Sequence, residues 1–215
     1  MKAKGAIIGE NARMFAERAK KKDFTKSIIK NLLPELKPNK KMKVVDFCTG
    51  SGNIIPFFKD KVNEFTAVEA SSEMVKIMES EFGNVKNLKI IQSDVSKVPL
   101  ESDKYDAVIC KFSLHHISEA APVFKEAFRI LKKRGRLFII DVVFEGNLFD
   151  RIKIPFLKIK QAFEKGYHEL FCRYRTNKDI IDLFERNNFK ILKKERLGQF
   201  RKYNHFYDYF YVGQK

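Results

Sequence analysis

Val44-Val45-Asp46-Phe47-Cys48-Thr49-Gly50-Ser51-Gly52-Asn53-Ile54 decides how this chain is read. An apolar strand runs into an acid, then a Gly-x-Gly turn, then the start of a helix. Glycine carries no Cβ and tolerates positive φ, so such a turn lets backbone close on a ligand. The helix that follows offers its unpaired N–H groups to the same ligand. A nucleotide-like cofactor is the expected occupant. The dinucleotide fingerprint needs a third glycine at position 55, where Ile55 stands, so that reading fails. Asp46, placed ahead of the glycines, repels a diphosphate and attracts an ammonium or a sulfonium.

Further acids follow at strand tips. Phe65 to Ser71 reads as a second strand ending in Glu69, 23 residues beyond Asp46. A carboxylate there can accept both hydroxyls of a ribose. Leu88 to Val95 gives a third strand ending in Asp94, and Tyr105 to Phe112 a fourth, followed by Ser113-Leu114-His115-His116-Ile117. Ile130 to Asp141 reads as the end of a helix, a turn at Arg134-Gly135 and a fifth strand.

In this order and spacing the segments resemble the class I S-adenosylmethionine-dependent methyltransferases, whose motif I runs D-x-G-x-G-x-G. Cys48 replaces the first glycine, and Arg134-Gly135 replaces the family's usual Pro-Gly turn. The resemblance covers about residues 40 to 213 and is most specific between 44 and 141. It implies S-adenosyl-L-methionine as cofactor, a molecule with two cations and no phosphate. The implied cofactor contacts are Asp46, Cys48, Thr49, Gly50, Ser51, Gly52, Asn53, Glu69, Ala70, Ser71, Met74, Asp94, Val95, Lys111 and Phe112. Asp94 would lie beside the adenine, and Ser71 is also a natural helix cap.

The expected fold is α/β: a Rossmann-like, doubly wound, seven-stranded, mostly parallel sheet with an antiparallel terminal hairpin and helices on both faces. Met74, Ile77, Met78 and Phe82 mark one helix, and Val123, Phe124, Ala127, Phe128 and Leu131 another, both as core. The hairpin is expected at Phe189–Leu197 and His205–Val212. The 215 residues suit one domain. Within it, 1–40 form a helical leader, 41–144 the cofactor-binding core, 145–175 a helical insertion and 176–215 the closing helix and strands. In the leader Ile28, Ile29, Leu32, Leu33 and Leu36 form an apolar face that Pro34 and Pro38 should interrupt. The insertion carries Phe149, Ile152, Ile154, Phe156, Leu157, Phe163, Tyr167, Leu170, Phe171 and Tyr174. It reads either as a substrate lid or as packing against the sheet edge.

The formal net charge of +16 is uneven. Residues 1–43 and 151–215 each carry nine net positive charges, while 44–150 carry two net negative. Basic flanks attract an anionic substrate, RNA or an acidic membrane surface, or are merely solvated. Cys48, Cys110 and Cys172 show no C-x-x-C and no pairing pattern, so neither a disulfide framework nor a zinc site is expected, and no metal ligand is assigned. No signal peptide or membrane span is apparent, and a cytoplasmic location is expected.

The implied chemistry is methyl transfer. The enzyme's task is to align a nucleophile with the S–CH3 bond and exclude water. A general base is needed only for an acceptor that arrives protonated. His115 and His116 are the candidates; either one can equally be a packing residue, and His168 is a weaker third. The Asn-Pro-Pro-Tyr-type segment of amine-directed nucleic-acid enzymes is absent, Lys111-Phe112-Ser113-Leu114 standing there. The Leu-His-His-Ile run is similar to the small-molecule branch that includes the ubiquinone and menaquinone C-methyltransferases. A small aromatic or lipophilic acceptor is therefore expected, with an RNA acceptor or a non-catalytic cofactor-binding module as alternatives.

Overall fold

Strand order in the sheet is β3 (Leu88–Gln92), β2 (Glu64–Glu69), β1 (Lys43–Phe47), β4 (Tyr105–Lys111), β5 (Leu131–Phe144), β7 (Phe206–Gln214) and β6 (Lys190–Gly198). A computed structural model describes residues 16–17, 24–147, 149, 152, 154–156, 172–198 and 205–215. The helices are α1 Phe24–Leu36, α2 Ile55–Phe58, α3 Ser72–Phe82, α4 Ala121–Ile130 and α5 Asn177–Arg186, with a 3-10 turn at Leu114–His116. The first five strands are parallel; β7 runs antiparallel to both β5 and β6. The chain works outward from β1 to β3, returns to β4 beside β1, and works outward the other way. That reversal opens a crevice beyond the carboxyl ends of β1 and β4, where such sheets hold ligands.

Burial explains the strand sequences. Val44, Val45 and Phe47 in β1 and Ala107, Val108 and Ile109 in β4 are fully buried, as central parallel strands covered on both faces require. One face packs under α4 and α5 through Val123, Phe124, Ala127, Ile180 and Phe184. The other packs under α1, α2 and α3 through Ile28, Leu32, Leu36, Phe58, Val75 and Met78. Phe124 and Phe184 meet edge-on at 5.0 Å between ring centres. β6, by contrast, alternates exposed and half-buried residues as an edge strand does.

Three local expectations are corrected. Pro34 does not end the first helix; it lies inside α1, which runs to Leu36. Its missing N–H falls in the last turn, and Arg136 caps that end by donating from its guanidinium to the carbonyls of Glu35 (2.8 Å) and Leu36 (3.0 Å). The turn expected at Arg134-Gly135 ahead of the fifth strand lies inside β5, with Arg134 in the left-handed region (φ 65°). Gly135 is needed there for close approach, since a Cβ would sit 2.8 Å from the Lys132 carbonyl oxygen. Leu131 belongs to β5 and not to the preceding helix. Leu157, Phe163, Tyr167, His168, Leu170 and Phe171 lie outside the described residues, as does the leader before Ala16. No described helix is long and apolar enough to cross a membrane.

Candidate cofactor and acceptor site

The tip of β1 carries Asp46, fully buried, with neither carboxylate oxygen meeting a hydrogen-bond partner among the described residues. Burial pushes its pKa up to about 7; Lys111 and Thr49 pull the other way, and Glu69 adds a smaller upward push. The Thr49 hydroxyl donates to the Asp46 carbonyl oxygen at 2.8 Å, which fixes the loop without satisfying the carboxylate. An unpartnered buried carboxylate costs free energy that a cationic ligand group would recover.

The loop after Asp46 takes left-handed backbone three times, at Cys48 (φ 53°), Gly50 (φ 66°) and Gly52 (φ 82°). Cys48 thus occupies a conformation that glycine adopts without strain. Its thiol is held protonated, first by its hydrogen bond with Cys110 and then by burial. The two glycines serve different purposes. At Gly50 a Cβ would meet nothing within 4 Å, so that backbone faces open space. At Gly52 it would sit 2.6 Å from Ile55 Cδ1 and 3.1 Å from Met78 Cγ, so that backbone packs against α2 and α3.

Glu69, at the tip of β2, binds backbone in this structure. Its Oε2 accepts from the Gly50 N–H at 2.9 Å, and its Oε1 from Ala70 and Ser71, both at 2.9 Å. The residue expected to hold a ribose therefore also ties the glycine loop to β2. Ser71 caps α3 by accepting from the Met74 N–H at 3.4 Å, and Met74 is buried behind it. Asp94, exposed just past β3, accepts from the Ser96 N–H at 2.8 Å, with Val95 buried beside it. Ser51 is buried in the loop, and Asn53 donates to the Thr25 hydroxyl at 3.3 Å, which brings α1 against the loop. Lys111 is buried at the tip of β4, and Phe112 follows it at φ 46°.

A bridge leads from this loop to the histidines. Ser113 Oγ donates to the Lys111 carbonyl (2.8 Å) and the Cys48 carbonyl (3.3 Å), tying the segment after β4 to the glycine loop. His115, 4% exposed, sits on the next turn. Asp141, near the end of β5, receives the His115 backbone N–H on Oδ2 at 3.2 Å and meets His115 Nδ1 through Oδ1. Tyr174 stacks on the His115 ring at 5.7 Å, and His116 lies 4.1 Å away, both ring to ring. Arg175 donates to the carbonyls of Leu114 (2.5 Å) and Ile117 (2.7 Å), clamping the turn from the far side.

Asp141, Cys172 and Arg175 were not singled out as site residues from the sequence. Asp141 carried a usable signal: an acid at a strand tip, like Asp46 and Glu69. Cys172 and Arg175 carried none, because only the return of residues 172–175 beneath the turn brings them there. That return surrounds the turn with Val142, Phe144, Tyr174 and Phe206, an apolar cluster of its own.

A methyltransferase domain model matches residues 45–139. The chain is 30% identical over 101 residues to the uncharacterized methyltransferase YcgJ of Bacillus subtilis, a match spanning 46% of this chain and 40% of that protein. It is 25% identical over 177 residues to a demethylmenaquinone methyltransferase of Thermotoga maritima, with 74% of each covered. The crystal structure of YcgJ superposes with a TM-score of 0.71 at 17% identity, covering 87% of this chain and 97% of that one. A geranyl diphosphate C-methyltransferase from Streptomyces coelicolor, solved with Mg2+, geranyl diphosphate and S-adenosyl-L-homocysteine, gives 0.71 at 12% identity, covering 88% and 78%. The buried, unpartnered Asp46 and the clear space before Gly50 fit S-adenosylmethionine as the cofactor, in keeping with the methyltransferase domain model matched over residues 45–139 and with the methyltransferases this chain is similar to.

Proposed function

We propose that this chain methylates a small, lipophilic acceptor held beyond the tips of β4 and β5. The observation that carries the reading is Asp46, a carboxylate buried without a partner at the head of a glycine loop. S-adenosylmethionine supplies an electrophilic methyl group on a sulfonium. Asp46 offers the negative charge that attracts the cofactor's cationic end. Gly50 lets the loop backbone approach it, Glu69 offers one remaining acceptor position to the ribose, and Asp94 stands on the adenine side. Lys111 and Phe112 border the crevice toward the acceptor.

His115 takes the proton of an acceptor that arrives protonated. Asp141 holds Nδ1, so Nε2 is the nitrogen left to accept. His116 stands beside it at the same turn. The lipophilic character of the acceptor is supported by the apolar cluster around Cys172 and by the insertion after β5. There Phe149, Ile152 and Phe156 are 76%, 61% and 72% exposed, an apolar face suited to closing over a greasy ligand. Relatives named for demethylmenaquinone and geranyl diphosphate are in keeping with that class.

The test is incubation of the purified chain with methyl-labelled cofactor and fractionated cell extract. Label in the organic-extractable small molecules is expected. Label in RNA would shift the assignment to the basic flanks, and cofactor binding without any labelled product would make the chain a binding module.

A further inference from the structure

The corner that holds the two histidines also has the composition of a metal site. One ring nitrogen from each of His115 and His116 and the Sγ of Cys172 all lie within 4.8 Å of one another. His116 Nδ1 and Cys172 Sγ are 3.3 Å apart. Nitrogen and sulfur bound at about 2.0 and 2.3 Å to one tetrahedral ion stand roughly 3.5 Å apart, so this pair is already near ligand spacing. Asp141 supplies what metal-bound histidines generally have: a carboxylate on the other ring nitrogen, fixing the tautomer and the ring plane. The peptide is held from both sides. The Arg173 N–H donates to the His115 carbonyl at 2.6 Å, and Arg175 grips the Leu114 and Ile117 carbonyls.

We propose that His115, His116 and Cys172 bind a divalent ion of the zinc class, with three protein ligands and a fourth place open. Two imidazoles and a thiolate favour zinc over the hard, oxygen-seeking magnesium or calcium. The Cys172 thiolate and the Asp141 carboxylate offset the two charges of the ion, against the charges of Arg173 and Arg175 on the same turn. Cysteine spacing gives no hint of this site, because Cys172 stands 56 residues from His116 and its co-ligands are histidines. The chemical use of the site rests on the methyl-transfer reading. An acceptor thiol or hydroxyl bound at the open place would lose its proton to solvent and keep the electron pair on sulfur or oxygen. The ion would then do by coordination what His115 Nε2 does in its absence.

Binding itself is tested without any acceptor. The purified chain is stripped with chelator and titrated with Co2+, followed by absorbance, then with Zn2+ in competition. One equivalent of Co2+ is expected to give four-coordinate visible bands and a thiolate-to-cobalt band in the near ultraviolet. Cys172→Ser should abolish the thiolate band, and Asp141→Asn should weaken Zn2+ binding about 10- to 100-fold. Calorimetric titration of the same variants with S-adenosylmethionine should be unchanged, showing that they fold. Failure to bind a stoichiometric ion would overturn the proposal, as would a thiolate band that survives Cys172→Ser. Loss of cofactor binding in the unmodified chain would instead overturn the methyl-transfer reading and leave the metal result standing.

Discussion

Asp141 holds His115 twice, accepting from its backbone N–H at 3.2 Å and meeting its ring at Nδ1, so one carboxylate sets both the position and the tautomer of one imidazole. Asp141→Asn presents an amide to that ring and allows the other tautomer. For an acceptor that must lose a proton, kcat should fall about 100-fold or more while cofactor affinity holds. His115→Gln should fall as far. Single-turnover kinetics with calorimetry of the cofactor decides this, and full activity in His115→Gln would remove the proton-transfer role.

Asp46 predicts a pH dependence of cofactor binding. Burial holds its pKa near 7 in the free protein, so the carboxyl is mostly protonated at pH 6 and mostly ionised at pH 8. A cationic ligand selects the ionised form. Affinity should therefore fall up to tenfold for each pH unit below about 7 and level off above it. Asp46→Asn should bind weakly and without that slope. The sign for stability is opposite. The unfolded chain releases this proton near 3.8, the folded chain only near 7, so the group's folding contribution declines as pH rises between them. At pH 8, Asp46→Asn without cofactor should melt higher than the parent, by at most about 4 kcal/mol of stability.

The two glycines of the loop should separate binding from folding. Gly50→Ala places its Cβ in open space, so its stability cost is the left-handed backbone alone, roughly 1 kcal/mol, while cofactor binding is lost. Gly52→Ala drives a Cβ to 2.6 Å from Ile55, adding steric strain of about 1–3 kcal/mol. Denaturant midpoints and calorimetry on the two variants should give opposite rankings.

Cys48 tests the left-handed position directly. Cys48→Gly relieves backbone strain of about 1 kcal/mol but gives the unfolded chain comparable freedom, so stability should barely change. Cys48→Val puts a β-branched residue at φ 53° and should cost about 2 kcal/mol in urea unfolding. Equal stability for the two variants would mean that the loop relaxes.

Phe149 and Phe156 are exposed, so Phe149→Ser with Phe156→Ser should leave unfolding within about 0.5 kcal/mol of the parent. If the insertion closes over a lipophilic acceptor, KM for that acceptor should rise several-fold with cofactor affinity untouched. An unchanged KM would end the lid reading.

The sheet was legible because its central strands announce themselves: the apolar runs of β1, β2 and β4 alternate with helical patterns in an order that fits one known winding. Asp46 was readable as a candidate for the same reason, and the structure shows it buried with no partner for its carboxylate oxygens among the described residues. The hydrogen bonding of the Asp141–His115–Arg175 corner was not readable. It depends on a return of the chain after the insertion, and a contact between positions 115 and 172–175 leaves no periodic trace. Pro34 and Arg134 misled in a smaller way. Both depend on what lies opposite them: Arg136 capping the α1 end in one case, and the Lys132 carbonyl that only glycine 135 can approach in the other.

β7 is inserted between β5 and β6, although it follows both in the chain. During synthesis the wall that carries Asp141 therefore stays an open strand edge until residues 206–214 have emerged. Phe210, Tyr211 and Val212, all fully buried, then cover it at once. A chain stalled before that point presents a long apolar edge ready to pair with another copy. The same arrangement makes the acceptor side the last part of the sheet to be completed, so acceptor chemistry should be lost in any chain that lacks its seventh strand.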